Sequence, residues 1–179
     1  MNQQEAISLI RRAVLPSAGP QQWADLGCGS GVFTTALAHL LPPGSRINAV
    51  DKEQQSLPQT ISGVEIIFRQ ADFEREVLPF RDLDGILIAN ALHYCSDAGA
   101  VLRRLMASQR PESCRFLIVE YDSTAASRWV PFPLPFDRME KLFLELGADR
   151  VTKLAEHPSR YRRGNIYSCV AIGPFNADP

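Results

Sequence analysis

The feature of this sequence that most restricts its fold is a glycine-rich turn early in the chain. An apolar run at 23–26 leads directly into the turn Gly-Cys-Gly-Ser-Gly at 27–31. The run predicts a short strand, and residues 30–41 predict a helix that starts in the turn. Gly27 and Gly29 allow backbone dihedrals that a Cβ would penalise, so the main chain can lie against a ligand. The N–H groups at the start of the helix then face that ligand, which predicts a nucleotide-type binding site.

The spacing of the glycines indicates which kind of nucleotide binds there. A dinucleotide-binding fingerprint requires a glycine at its sixth position, and Val32 occupies that position here. The stretch 25–31 instead reads acidic-x-Gly-x-Gly-x-Gly and begins with Asp25. It resembles motif I of the class I S-adenosylmethionine (SAM)-dependent methyltransferases. This resemblance implies that the cofactor is SAM.

Predicted strands and helices alternate through the rest of the sequence. Further strands are predicted at 46–51, 64–69, 83–90, 114–121, 150–156 and 166–172, and helices at 3–15, 97–108 and from 133 or 137 to just before Gly147. The segments 52–63 and 74–80 predict short helices at most. The alternation predicts an α/β fold with a doubly wound, mostly parallel seven-stranded sheet.

The last predicted strand follows its predecessor with no helix between them, so it must return antiparallel. This arrangement is similar to the class I methyltransferase fold, in which an antiparallel seventh strand lies beside the fifth. The similarity extends over about 21–173. We therefore expect a single domain over 1–179, with an N-terminal helix and linker at 1–20 and a Rossmann-like core at 21–173.

Composition excludes several classes of protein. The 179 residues are 45% apolar and 22% charged, which is typical of a soluble globular domain. A net charge of -1 gives no general attraction for nucleic acid. The sequence has no run apolar enough to cross a bilayer and no signal-peptide pattern, so we expect a cytoplasmic protein. Its four cysteines form no CxxC pair, which predicts free thiols and no metal site.

Polar and aromatic residues follow four of the predicted strands. In an open α/β sheet, ligands bind outside the carboxyl ends of the strands. The residues at these ends are Asp25 with the glycines, Asp51, Asp72 with Phe73, and Asn90 with His93 and Tyr94. Their order is similar to the order of the SAM-binding motifs in the family.

The resemblance implies a role for each residue near the methionine part of SAM. Gly27 would offer its backbone, and Asp25 would orient the amino group. Asn90 would contribute a carbonyl group. The remaining members of the turn complete the predicted cofactor set at this end: Cys28, Gly29 and Gly31.

The resemblance also implies contacts to the nucleoside. Asp51 comes 20 residues after the last glycine of the turn, where a ribose-binding carboxylate is expected. Asp72 would accept a hydrogen bond from the adenine amino group, with Phe73 adding backbone and apolar contact. Lys52 and Glu53 would lie over the adenine. Alternatively, Asp51 caps the next helix and Asp72 is a turn residue.

Candidate residues for catalysis and for acceptor binding lie beyond the cofactor motifs. His93 and Tyr94 are the best candidates for a general base, or they form a pocket wall. Trp129 and Phe132 belong to an aromatic, proline-rich segment that suits an apolar pocket wall or a stiff connection. A basic loop at 159–163 suits an anionic acceptor or a solvated hairpin tip, and its predicted substrate residues are Arg160 and Tyr161.

These patterns predict a SAM-dependent methyltransferase that acts on a small molecule. The short N-terminal part and the thin helices after strands two and three suggest an open site, which a homodimer or a partner subunit would complete. One alternative is a non-catalytic subunit of the same fold that binds SAM and regulates a partner. Another is a nicotinamide-dependent oxidoreductase, which Val32 and the antiparallel last strand disfavour.

Overall fold

A computed structural model of the chain describes residues 1–13, 19–110, 115–159 and 164–175. Its helices are α1 (Gln3–Ile10), α2 (Val32–Ala38), a 3₁₀ helix η1 (Leu92–Tyr94), α3 (Ala98–Met106) and α4 (Phe136–Glu145). Its strands are β1 (Gln22–Leu26), β2 (Arg46–Asp51), β3 (Thr60–Ile61), β4 (Val64–Gln70), β5 (Gly85–Ala89), β6 (Arg115–Asp122), β7 (Arg150–Pro158) and β8 (Asn165–Ile172).

All the strands belong to one sheet with the order β3-β4-β2-β1-β5-β6-β8-β7. Strands β4, β2, β1, β5 and β6 are parallel, and β8 pairs antiparallel with both β6 and β7. The predicted fold is confirmed, because the antiparallel last strand lies beside the fifth long strand. The sheet has eight strands. The prediction of seven missed β3, a two-residue partner of β4 joined to it through Ser62 and Gly63, which both have positive φ.

The first helix begins as its sequence requires but ends early. The Asn2 side chain accepts from the Glu5 N–H and the Glu5 carboxylate accepts from the Asn2 N–H, which forms a capping box. The prediction of a helix as far as residue 15 is wrong, because α1 ends at Ile10 and only turns follow to Ala13. The Ser168 hydroxyl donates to the Leu9 carbonyl at 2.6 Å and ties α1 to β8.

Two apolar clusters cover the two faces of the sheet. Successive residues of a strand face opposite sides, so Ile86 and Ile88 of β5 join one cluster while Leu87 and Ala89 join the other. Helices α3 and α4 complete the first cluster, and α1 and α2 complete the second. The central strand β5 is therefore buried along its whole length.

The crossovers on either side of β4 contain no helix. Residues 52–59 and 71–84, all of them described, form only turns and irregular backbone. Ile67 of β4 consequently keeps 40% of its surface exposed. The carboxyl edge of the sheet stays accessible at this end, as the low helix content of both segments predicts. No helix among the described residues is long and apolar enough to span a membrane.

Candidate functional site

The glycine turn closes tightly over the ends of β1 and β2. The N–H groups of Gly27 and Cys28 donate to the Val50 carbonyl at 2.8 and 3.0 Å. Gly27 has a φ of 74°, and a Cβ placed there would lie 2.4 Å from the Cβ of Ala91. A larger residue would therefore fill the space between the turn and the end of β5. The turn forms the floor of a cavity at this edge of the sheet.

The cavity has a volume of about 410 Å³ and lies at the carboxyl ends of β1, β2, β4 and β5. The predicted site residues that line it are Gly27, Asp51, Lys52, Asp72, Phe73, Asn90, Tyr94 and Trp129. Its other lining residues, which the sequence interpretation missed, are Ala71, Glu74, Ala91, Cys95 and Arg128. All five missed residues are direct neighbours of predicted ones in the sequence, so their position next to a predicted site residue was the available signal.

The Asp51 carboxylate joins the turn to the segment after β2. One oxygen accepts from the Gly29 N–H at 2.8 Å and the other from the Glu53 N–H at 2.9 Å. A carboxylate has about four acceptor positions, so each oxygen can still accept a hydrogen bond from a ligand in the cavity. No helix follows Asp51 over residues 52–59, so the helix-capping alternative is wrong. The carboxylate instead makes a turn contact to the Glu53 N–H and also lines the cavity.

The loop after β4 is fixed by its own hydrogen bonds and by α3. Asp72 accepts from the Glu74 N–H at 3.0 Å, which is a turn contact, and it also lines the cavity. The Arg104 guanidinium donates to the carbonyl groups of Phe73 and Glu74 at 2.7 and 2.8 Å. The Phe73 ring is held as a largely buried wall of the cavity.

Asp25 lies beneath the turn and does not line the cavity. It is 1% exposed, and the Thr34 hydroxyl donates to one carboxylate oxygen at 2.6 Å. The other oxygen is buried without a hydrogen-bond partner among the described residues. Burial raises the pKa of this carboxyl from 3.8 to about 7, while the Thr34 hydrogen bond opposes the shift and the charge of Asp51 adds to it. An unpaired buried carboxylate oxygen favours a nearby cation.

Asn90 ends β5 with a φ of 53°, an uncommon conformation for a residue other than glycine. Its side-chain oxygen is buried and has no hydrogen-bond partner among the described residues. Asn90 lines both the main cavity and a second one of about 170 Å³, which lies between α1, the end of β6 and the β7–β8 pair. The residue therefore stands at the junction of two cavities.

The two candidate bases point to different places. His93 is 1% exposed. Its ring Nδ1 lies 2.7 Å from one carboxylate oxygen of Glu120, and the other oxygen accepts from the His93 N–H at 3.1 Å. Its ring does not line the cavity. Tyr94 is 50% exposed and lines the cavity, with its ring centroid 4.4 Å from that of His93. The sequence predicted a strand at 114–121 that contains Glu120, but it did not indicate that Glu120 is the partner of His93.

The aromatic segment after β6 contributes one of its two predicted residues. Trp129 lines the cavity and is 67% exposed, with the Arg128 guanidinium 5.6 Å from its ring centroid. Phe132 lies outside the cavity wall, and its N–H donates to the His93 carbonyl at 3.0 Å. Arg160 and Tyr161 lie outside the described residues.

The remaining predicted turn residues do not line the cavity: Cys28, Gly29 and Gly31. Gly31 begins α2 with a φ of 80°, and a Cβ there would lie 2.6 Å from the Leu57 side chain. Burial raises the pKa of the Cys28 and Cys95 thiols to about 12, so both are protonated at neutral pH and unreactive. Within the described part of the chain, no group of three or more potential ligand residues could hold a metal ion.

The lining of the cavity fits an elongated nucleoside cofactor such as SAM. Its volume lies within the range of about 300–1,000 Å³ that is typical of ligand pockets. The Gly27 backbone provides a close approach, Asp51 and Asp72 provide acceptors for hydroxyl and amino groups, and Phe73 provides an apolar surface for a base. Asn90 adds a buried side-chain oxygen without a hydrogen-bond partner among the described residues, which can accept from an amino group.

Comparison with known proteins agrees with this geometry. A family model described as a methyltransferase domain matches residues 24–112. The structure is similar to that of 1,6-didemethyltoxoflavin-N1-methyltransferase from Burkholderia thailandensis, with a TM-score of 0.68, 17% identity, and coverage of 96% of this chain and 77% of that one. That enzyme was solved with 1,6-didemethyltoxoflavin and S-adenosylhomocysteine (SAH).

Two further solved structures share the fold. A candidate SAM-dependent methyltransferase from Listeria monocytogenes has a TM-score of 0.65 and 13% identity, with 95% of this chain and 99% of that one covered. A candidate O-methyltransferase from Nostoc punctiforme also has a TM-score of 0.65, with 15% identity and 94% of this chain covered. The chain spans 56% of the Nostoc protein. No functionally curated protein matches the sequence.

Proposed function

We propose that this chain, which belongs to the class I SAM-dependent methyltransferases, transfers the methyl group of SAM to a small-molecule acceptor. The observation that carries the proposal is the meeting of Gly27, Asp51, Asp72 and Asn90 at one cavity. They come from the ends of four strands, as the cofactor motifs require. The acceptor would enter on the side of the cavity where Tyr94 and Trp129 are exposed.

Each cofactor contact has a candidate in the cavity. Asp51 would accept from the ribose hydroxyls with the acceptor positions that Gly29 and Glu53 leave free. Asp72 would accept from the adenine amino group, and Phe73 would pack against the base. Lys52 would cover the base from the exposed side. Asn90 would face the methionine part with its unpaired oxygen atom. Asp25 lies behind the turn, so it would favour the positively charged amino group from there by its charge.

The protein groups promote methyl transfer mainly by position and by excluding water. When bound, SAM supplies an electrophilic methyl group on a positively charged sulfur. Holding an acceptor in line with such a group can contribute about 7–11 kcal/mol. Phe73 and Trp129 would keep water away from the reacting atoms. The Tyr94 hydroxyl lines the cavity on the acceptor side and is half exposed. It would relay a proton from an acceptor that needs deprotonation, taking that proton on its oxygen as its own proton passes to water.

His93 has a different role in this proposal. Its ring is buried against the Glu120 carboxylate and is separated from the cavity wall, so proton transfer to an acceptor would require η1 to move. We propose that His93 positions Tyr94, its neighbour in η1. The general-base prediction then rests on Tyr94.

The open edge of the cavity leaves room for a partner. The crossovers at 52–59 and 71–84 have no helix, and Lys52 is exposed. We propose that a second copy or a partner subunit covers this edge. Analytical ultracentrifugation with and without SAH tests whether a second copy covers the edge. A monomer under both conditions would contradict the second copy, and a different protein subunit would be the remaining candidate.

Direct binding and turnover test the proposed function. We expect SAH and SAM, but not NAD, to bind in calorimetric titrations. An assay for SAH release should then detect turnover on a panel of small nucleophiles. Binding of NAD without SAH would contradict the proposal. Binding of SAH with no turnover on any acceptor would leave a cofactor-binding protein that lacks transferase activity.

A further inference from the structure

We infer that the acceptor is a planar aromatic molecule with an acidic substituent, whose ring lies against Trp129 and Tyr94 and whose acidic group lies at Arg128. This inference rests on the proposed function, because it assigns the outer part of the same cavity. It names a substrate class that neither the family match nor the cofactor motifs specify.

The first observation is the unusual exposure of two aromatic rings. Trp129 and Tyr94 keep 67% and 50% of their surfaces exposed, and both line the cavity. The other large hydrophobic side chains exposed in the described part of the chain lie elsewhere: Ile67, Val77, Phe132 and Leu144. Exposed aromatic rings beside a cavity mark a surface that a ligand covers. Aromatic ligands gain stacking or edge-to-face contacts there beyond simple burial.

The second observation is that the backbone carrying both rings is held by buried contacts. The Glu120 carboxylate contacts both the backbone N–H and the ring Nδ1 of His93. These two contacts hold η1 in place, and Tyr94 belongs to η1. The His93 carbonyl accepts from Phe132 in the segment that carries Trp129. Trp129 itself lies in a tight turn beside Val130, which is 1% exposed. The two rings therefore belong to one supported wall, which limits the ordering cost of binding a rigid ring.

The third observation concerns charge. The Arg128 guanidinium lies over Trp129, and no carboxylate among the residues that the structure describes comes within 4.0 Å of it. Stacking of this kind leaves the N–H edge of the guanidinium open to a carboxylate. Glu74, another acid that lines the cavity, accepts from the Ser96 N–H at 3.4 Å. Asp51 and Asp72 belong to the cofactor part of the cavity. Arg128 is thus the cation that would select an acidic acceptor.

Tryptophan fluorescence of this protein can report on ligand binding at Trp129. It has two tryptophans, of which Trp23 is fully buried and Trp129 is exposed. Quenching of tryptophan emission by acrylamide therefore reports mainly on Trp129. A ligand that covers Trp129 should reduce the quenching, and the Trp129→Phe variant should lose this signal.

The experiment uses the protein saturated with SAH and three matched probes. Cinnamate is planar and acidic, cinnamyl alcohol is planar and neutral, and 3-cyclohexylpropanoate is acidic but not planar. We expect calorimetry to give cinnamate a Kd about tenfold below that of 3-cyclohexylpropanoate. Cinnamate should also protect Trp129 from acrylamide.

Variants separate the two parts of the inference. Trp129→Ala should abolish the preference for the planar acid, whereas Trp129→Phe should keep most of it. Arg128→Gln should weaken cinnamate binding about fivefold and leave cinnamyl alcohol within twofold. Arg103→Gln, on the exposed face of α3, is the matched control and should change neither affinity. All the variants should bind SAH within twofold of wild type.

Three outcomes would overturn the inference while the proposed function stands: no preference for cinnamate, displacement of SAH by cinnamate, or weaker SAH binding in the Trp129 and Arg128 variants. The last two would mean that these residues contact the cofactor. Failure of SAH to bind the wild-type protein would instead overturn the proposed function, and the inference with it.

Discussion

Among single residues, Asp51 combines a structural and a ligand-binding position. Its carboxylate accepts from Gly29 and Glu53 and also lines the main cavity. The sequence left helix capping and ribose binding as alternatives, but no helix follows Asp51. Its backbone contacts still leave acceptor positions for a ligand, because one carboxylate can accept several hydrogen bonds. Changes at this residue should therefore affect both stability and cofactor affinity.

We expect Asp51→Ala to weaken SAH binding by about 30- to 150-fold, since hydrogen bonds to a charged group contribute about 1.5–3 kcal/mol each. The variant should also lose about 1–3 kcal/mol of unfolding free energy, because two backbone N–H groups lose their acceptor. Asp51→Glu should lose less affinity. Calorimetry and urea unfolding measure the two effects. The control Glu145→Ala removes an exposed carboxylate on α4 and should leave SAH affinity unchanged. Wild-type affinity in a folded Asp51→Ala protein would exclude the ribose contact.

Asp25 predicts a pH dependence of stability whose sign follows from its burial. Its pKa is raised from 3.8 to about 7, so between these values the folded protein binds a proton that the unfolded chain has lost. The favourable contribution of this group is complete below about pH 4 and disappears as the pH rises through 7. We expect wild type to lose about 2–3 kcal/mol relative to Asp25→Asn between pH 5 and pH 8, measured without ligand by urea unfolding. An equal pH dependence in the two proteins would show that Asp25 titrates normally.

Among the elements, η1 and the end of β6 form the connection on which the cavity wall depends. Strands β5 and β6 pair in register, with Ala89 opposite Val119, so the residues just after them lie side by side. Glu120 then reaches His93 although the two are 27 residues apart in sequence. A buried carboxylate that bonds both a ring and a backbone N–H holds the whole 3₁₀ turn.

Removing the Glu120 carboxylate should destabilise the cavity wall formed by η1 and the segment that carries Trp129. We expect Glu120→Ala to lower the free energy of unfolding by about 3–5 kcal/mol, because it leaves buried donors of His93 unpaired. It should also make Trp129 more accessible to acrylamide, since the η1 contact to Phe132 weakens. The control Glu65→Ala breaks an exposed pair with Arg46 and should cost less than about 1 kcal/mol. If Glu120→Ala matched Glu65→Ala in both measurements, the buried pair would not support the wall.

The elements also show what the sequence could and could not specify. Strand β2 was predicted with its observed bounds, because a short apolar run ending on an acid leaves little freedom. The cofactor candidates met at one edge because parallel strands end together. The His93–Glu120 pair depends on strand register, and the place of Arg128 depends on a loop that folds back over η1. Neither the His93–Glu120 pair nor the position of Arg128 produces a local sequence pattern, so the periodicity of the sequence could not predict them.

In the whole molecule, the cavity joins the two halves of the core. The glycine turn follows β1, whose Trp23 belongs to the cluster under α1 and α2, while Phe73 and Ala91 of the cavity wall belong to the cluster under α3 and α4. A cofactor bound between them would contact residues supported by both clusters. The molecule should therefore unfold as one unit, and the cofactor should stabilise both clusters together.

Urea unfolding tests this cooperativity in a Trp129→Phe background, where the remaining tryptophan emission reports on Trp23 and far-UV circular dichroism reports on all the helices. We expect the two transitions to coincide, because both clusters pack on the same sheet.

SAH at 100 times its Kd should add about 2.7 kcal/mol to the free energy of unfolding. With an m-value of about 1–3 kcal/mol/M, both midpoints should move by about 1–3 M and the slope should stay constant. NAD at the same concentration is the control and should move neither midpoint. Separate transitions, or a shift in the tryptophan signal alone, would mean that the chain folds in two parts and that SAH stabilises only the part that contains the glycine turn.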